Sequence, residues 1–107
     1  MRLFNFFRNT ADTNTGVAEY KTNVAAVLLD VRTLEEYSDG HIDGSVNIPL
    51  DRIYSVENIV KDKSTPLYVH CLSGGRSGRA VSYLKQIGYT NVKNIGGISN
   101  YRGKVVK

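Results

Sequence analysis

Two continuous apolar runs constrain this chain more than any other feature: "AAVLLDV" at residues 25–31 and "TPLYVH" at residues 65–70. Neither alternates apolar with polar positions and both are short, so each reads as a strand covered on both faces. Strands of that kind belong to parallel sheets, whose faces carry helices. The residues downstream of each run agree with that reading. After the first, Thr33 stands three residues before Glu36 in "TLEEY", a capping box that starts a helix near Leu34. After the second come a glycine-rich loop and "RSGRAVSYLKQIG", where Ala80, Val81, Leu84 and Ile87 recur at helical spacing and Gly88 is placed to end the helix.

The remaining segments fit the same alternation. Val17, Ala18, Tyr20 and Lys21 form the best helical stretch before the first strand. Residues 39–50 make a turn-rich connection with a short strand at 45–48, closed by Pro49, and Asp51 is expected to cap a helix running to about Lys61. "TNVKNI" reads as a last strand, "GG" as a turn and "ISNYRG" as a final short helix or tail. Strands alternating with helices predict an α/β domain with a mainly parallel sheet. At 107 residues the chain holds one such domain. Ligands of these sheets lie beyond the carboxyl ends of the strands. That is where His70 and Cys71 stand.

Composition narrows the chemistry. With one cysteine there is no internal disulfide, and with His41 and His70 as the only histidines no zinc site is expected. Both points favour a reducing, cytoplasmic setting. The apolar stretch of "MRLFNFFRNT" is broken by Asn5, ended by Arg8 and too short for a secretory signal. It is expected as an amphipathic first turn that packs Leu3, Phe4 and Phe7 on the domain. No segment approaches the roughly 20 apolar residues of a membrane span. The net charge of +4 is scattered, without a basic run interleaved with aromatics, so nucleic-acid binding is not expected. Small anionic substrates are compatible with that charge.

The single cysteine sits in "HCLSGGRSGRA", between a strand and an amphipathic helix. A glycine-rich turn in that position aims backbone N–H groups at one point, beside the positive end of the helix, and so forms an anion site. A thiol on its floor is favoured as thiolate, with a lowered pKa. Gly74 and Gly75 let the backbone wrap a small centre without Cβ clashes. Ser77 is placed either to cap the helix or to donate into the loop.

The stretch C-L-S-G-G-R-S resembles the active-site loop of the rhodanese-like sulfurtransferases. "LLDVRTLEEYSDGHIDGSVNIPL" is similar to the family's upstream signature and "GYTNVKNIGGISNYRG" to its downstream one, so the likeness covers roughly residues 17–104. Tyr101 stands where the family commonly has tryptophan, a departure that concerns packing. The resemblance implies a rhodanese-like domain over residues 17–107, with a five-stranded parallel sheet flanked by helices, and a partly helical extension over residues 1–16. It implies Cys71 as the nucleophile, which takes the outer sulfur of a donor as a persulfide and passes it to an acceptor with ping-pong kinetics. The N–H groups of Leu72, Ser73, Gly74, Gly75, Arg76 and Ser77 would surround the terminal sulfur. No cofactor or metal is implied.

Four residues separate Cys71 from Arg76, whereas phosphatases with a related cradle place one more there for a tetrahedral oxyanion. The narrower loop suits a single sulfur atom and argues against arsenate reduction. Asp30 and Arg32 match the family's "DVR" and are expected to support the loop, with Asp30 pairing Arg76. Arg79 is either a further cation or a solvated helix residue, and His41 is expected to be structural. Strand alternation points His70 away from Cys71, and a stabilised thiolate needs no general base. The donor is thiosulfate or a persulfide, small or on a protein. Some relatives carry cations within the loop that suit thiosulfate, where this chain has Leu72, Ser73 and Gly75. Acceptors are a thiol, cyanide or a sulfur carrier, and the protein is expected to be a monomer. The rival reading is a non-catalytic or sensor module that binds a partner through the same surface.

Overall fold

The computed structural model describes residues 12–107, so the reading of Leu3, Phe4 and Phe7 as a packed first turn lies outside the described residues. Helix α1 (Thr13–Lys21) leads to strand β1 (Val27–Asp30), helix α2 (Leu34–Asp39) and the short strands β2 (His41–Ile42) and β3 (Val46–Asn47). A 3-10 turn (Leu50–Ser55) and helix α3 (Val56–Ile59) precede β4 (Leu67–Cys71), α4 (Gly75–Gln86) and β5 (Val92–Gly97). A second 3-10 turn (Ile98–Asn100) and β6 (Val105–Val106) complete the order. Helix α1 starts four residues before the boundary expected at residue 17, and it is tied into the domain. The buried Thr13 hydroxyl lies 2.6 Å from the Ile95 carbonyl and 3.0 Å from that of Gly97.

The α/β architecture and the central parallel sheet are as the two apolar runs require. The sheet has the order β3-β1-β4-β5 with every pairing parallel. The five strands expected are four among the described residues, because β2 pairs antiparallel with β6 in a separate two-stranded ribbon. Asp51 does not cap the expected helix either. Pro49 introduces a 3-10 turn that starts at Leu50 and carries a kink at Arg52, and regular α-helix begins only at Val56.

Alternation divides the core into two layers. Leu29, Val31, Leu67, Val69, Cys71 and Val92 face Ala80, Val81 and Leu84 of α4, together with Ile53, Val56 and Tyr89. Leu28 and Ile95 face the other way, towards Val17 of α1 and Ile42, with Tyr20, Tyr68 and Tyr101 packed around them. Each fully buried aliphatic side chain contributes roughly 1.5–3 kcal/mol. The capping box is present, with Glu36 N–H donating to Thr33 Oγ1 at 3.2 Å and Thr33 N–H to Glu36 Oε1 at 2.9 Å. His41 is structural: its ring stacks on Tyr37 at 3.8 Å between centroids, and its Nδ1 lies 2.9 Å from the Tyr37 carbonyl.

Candidate active site

The parallel strands β1 and β4 end side by side, with Asp30 opposite His70 in the register. Cys71 is the last residue of β4, points into the α4 layer and is buried. The chain then turns through Leu72 and Ser73 to Gly74, whose φ of +107° allows the loop to fold back beneath the first turn of α4. That turn brings two N–H groups onto the sulfur: Gly74 donates to Sγ at 3.0 Å and Ser77 at 3.3 Å. The Ser77 hydroxyl lies 3.4 Å from Sγ. Burial pushes the Cys71 thiol up, but the Ser77 hydroxyl and the N–H groups of Ser77, Gly74 and Ser73 outweigh it and hold the thiol below its ordinary pKa.

Strand β5 props the loop from below. Its register against β4 slips by one residue, pairing Val69 with Asn94 and Cys71 with Gly97. A Cβ at Gly97 would collide with the Leu72 carbonyl and Ser73, so the loop rests directly on that backbone. The Leu72 carbonyl in turn accepts from Ser99 N–H at 3.1 Å. Asn94 joins strand to loop. Its Oδ1 lies 2.7 Å from the Ser77 hydroxyl and accepts from Gly96 N–H at 3.0 Å, and its Nδ2 donates to the Gly74 carbonyl at 3.2 Å. Ser77 thus does not cap α4 through its side chain but bridges sulfur, loop and β5.

The charged residues are arranged differently from the expectation. Asp30 does not pair with Arg76. Arg32 donates to Asp30 from Nε at 3.0 Å and from Nη2 at 2.7 Å, and its backbone N–H reaches Oδ1 at 3.0 Å. Alternation explains this, because Asp30 shares the face of Leu28, while Arg76 stands on α4, on the opposite face. Arg76 instead grips Glu36, with Nη1 2.7 Å from Oε1 and Nη2 3.0 Å from Oε2. The Arg76 hydrogen bonds hold the Glu36 carboxyl down to about 2. Arg79 is exposed. His70 lies on the Asp30 face, fully buried, with Nδ1 3.2 Å from the Cys71 carbonyl and Nε2 3.9 Å from Asp30 Oδ2, where Nε2 has no hydrogen-bond partner among the described residues. Burial lowers its pKa, against the pull of Asp30, so it stays neutral. Sequence reasoning missed Glu36 as the partner of Arg76 and Asn94 as the prop. Asn94 was detectable: in "NVKNI" it shares the inward face of Val92. Among the described residues no three of His, Cys, Asp and Glu come together in a set able to hold a metal ion.

This geometry, a buried thiol cupped by N–H groups at the carboxyl end of a parallel strand, agrees with a comparison of sequences. The profile of the rhodanese-like domain matches residues 13–104. The chain belongs to the rhodanese-like domain family. This rhodanese-like domain is 38% identical over 80 residues to the thiosulfate sulfurtransferase PspE of Escherichia coli, covering 74% of this chain and 77% of that protein. It is 37% identical over 95 residues to the adenylyltransferase and sulfurtransferase uba4 of Ogataea parapolymorpha, which covers 88% of this chain but only 24% of that longer protein. Its fold matches the solved structure of a rhodanese with anions from E. coli with a TM-score of 0.73 and 37% identity, over 78% of this chain and 99% of that one. Among the described residues no helix is long and apolar enough to cross a membrane.

Proposed function

We propose that this rhodanese-like domain is a sulfurtransferase that carries sulfane sulfur as a persulfide on Cys71. The observation that carries the reading is the pair of N–H groups, Gly74 and Ser77, aimed at Sγ at 3.0 and 3.3 Å. Such donors stabilise a thiolate, and they are equally suited to a persulfide anion one bond further out. Cys71 thiolate attacks the outer sulfur of thiosulfate or of a persulfide. A new S–S bond forms as the donor's breaks, and sulfite or a thiolate leaves with the electron pair. A thiophilic acceptor (a thiol, cyanide or a sulfur-carrier protein) then attacks the terminal sulfur and restores the Cys71 thiolate. The donors within residues 72–77 serve both steps, and Asp30 and Arg32 support the loop by fixing the end of the neighbouring strand. The enzyme works in a reducing, cytoplasmic setting, which keeps its one thiol free.

Intact-mass measurement after incubation with donor tests this. The protein gains one sulfur, cyanide or a thiol reductant removes it, and Cys71→Ser neither gains mass nor turns over. Turnover by that variant would overturn the reading.

A further inference from the structure

The loop around Cys71 contains one cation, Arg76, and that cation is already engaged. Both terminal nitrogens of its guanidinium are closed on the two carboxylate oxygens of Glu36, at 2.7 and 3.0 Å. Glu36 cannot easily swing away, because its Oε1 also accepts from the Thr33 N–H at 2.9 Å in the capping box that starts α2. The other arginine at this edge, Arg32, is closed on Asp30. His70 on the far face is neutral. Arg76 and Arg32 are therefore both neutralised by carboxylates before any substrate arrives, and the thiolate adds a negative charge beside them. On the rim, Leu72 is 45% exposed, and Ser73 and Gly75 beside it are exposed and uncharged.

We propose that Glu36 is a specificity-determining residue: by holding Arg76 it turns the site away from thiosulfate and towards sulfane sulfur carried on an organic thiol. The proposal rests on the reading of Cys71 as the nucleophile. Thiosulfate brings two negative charges towards a thiolate, with only N–H dipoles to offset them. The electrophilic form of a persulfide, R–S–SH, brings none, and its carbon substituent suits the exposed face of Leu72. In the transfer, Cys71 thiolate attacks the outer sulfur of R–S–SH, the new S–S bond forms as the old one breaks, and R–S⁻ leaves with the bonding pair. The proton stays on the transferred sulfur. Sulfane sulfur changes carrier, and no outside oxidant or reductant is required.

Glu36→Gln tests it, since glutamine also serves in a capping box while leaving Arg76 with an uncompensated charge. Initial rates are measured with thiosulfate, with N-acetylcysteamine persulfide and with a persulfidated cysteine peptide, for wild type, Glu36→Gln, Arg76→Gln and Cys71→Ser. Wild type favours both persulfides over thiosulfate in kcat/KM. In Glu36→Gln the thiosulfate-to-persulfide ratio rises roughly 2- to 5-fold at low ionic strength, mainly through KM, and falls back in high salt. In Arg76→Gln, where Glu36 is left uncompensated, the ratio falls by a similar factor, which keeps the proposal testable should Glu36→Gln fold poorly. A purely structural role would slow all donors together and leave the ratio alone, and that result would overturn the proposal. Faster transfer from the peptide than from the small persulfide assigns the donor to a protein cysteine, and the reverse assigns it to a small thiol; both support organic-thiol carriage. Sulfur transfer by Cys71→Ser would instead sink the reading of the nucleophile. An unmoved ratio beside an inert Cys71→Ser defeats only the role of Glu36.

Discussion

The neighbouring strands β1 and β4 end at the same edge of the sheet, and each leads into a segment that contributes an arginine to a carboxylate pair. The two pairs differ in almost every physical respect. Asp30 and Arg32 are two residues apart, and their side chains are 0% and 6% exposed. Glu36 and Arg76 are forty residues apart, and each is about a third exposed, at 31% and 33%. A buried pair that loses one partner leaves a charge without compensation, which costs about 3–5 kcal/mol, whereas an exposed pair contributes about 0–1 kcal/mol. The end of β1 is therefore built for stability. The end of β4, where Cys71 lies, has charges that can be altered without unfolding the domain.

The sharpest way to break this contrast is at the sulfur. Cys71→Ser should abolish sulfur transfer while changing the denaturation midpoint little, because serine keeps the size and the contacts of the thiol. Asp30→Ala should do the opposite kind of damage. It strands the Arg32 guanidinium in the interior and should lower stability by about 3–5 kcal/mol in urea titrations. A loss below about 1 kcal/mol would mean that Arg32 finds water or another partner, and the two strand ends would no longer differ in kind.

Ser77→Ala probes the β4 end more gently. Removing the hydroxyl takes away one lowering contact and should raise the Cys71 thiol pKa. The sign is upward because the hydroxyl stabilises the thiolate over the thiol. Alkylation rate against pH reads the midpoint, and an unchanged midpoint would assign the lowered pKa to the backbone alone.

On the β1 side the corresponding titration is His70, whose pKa burial lowers. Between its folded value and the unfolded value of about 6.5 the unfolded chain binds more protons, so stability rises with pH through that window. The full contribution is present above about pH 6.5 and is lost as the pH falls, at up to about 1.4 kcal/mol per unit. His70→Leu should flatten this limb of the stability curve. The smallest effect belongs to Glu36→Gln, which should cost no more than about 1 kcal/mol at neutral pH. The contribution of Glu36 is present above its unfolded value and fades as the pH falls from 4.5 towards about 2.

Much of this molecule was legible in short windows of its sequence. The apolar runs announced β1 and β4, Thr33 and Glu36 announced their capping box, and the glycine loop before an amphipathic helix placed Cys71 at the carboxyl end of a buried strand. Those features come from local forces: side-chain periodicity, hydrogen bonds between residues a few positions apart, and backbone freedom at glycine. Even the pairing of Asp30 with Arg32 was within reach, since alternation puts Asp30 on the face away from α4.

Other features depend on which segments become neighbours, and the tertiary structure alone decided those. The grip of Glu36 on Arg76 requires α2 and α4 to converge above the adjacent strands β1 and β4, and nothing near either residue encodes that convergence. The slipped register that sets Gly97 under the Leu72 carbonyl, and Asn94 beside Ser77, arises where β5 meets β4. The separation of β2 and β6 into their own ribbon depends likewise on two segments more than sixty residues apart in the chain. The sequence by itself determined where the sulfur stands and what kind of loop holds it. The charge around that sulfur was decided by sheet order and register, because ion pairing and close backbone contact act through space between segments that no local pattern connects.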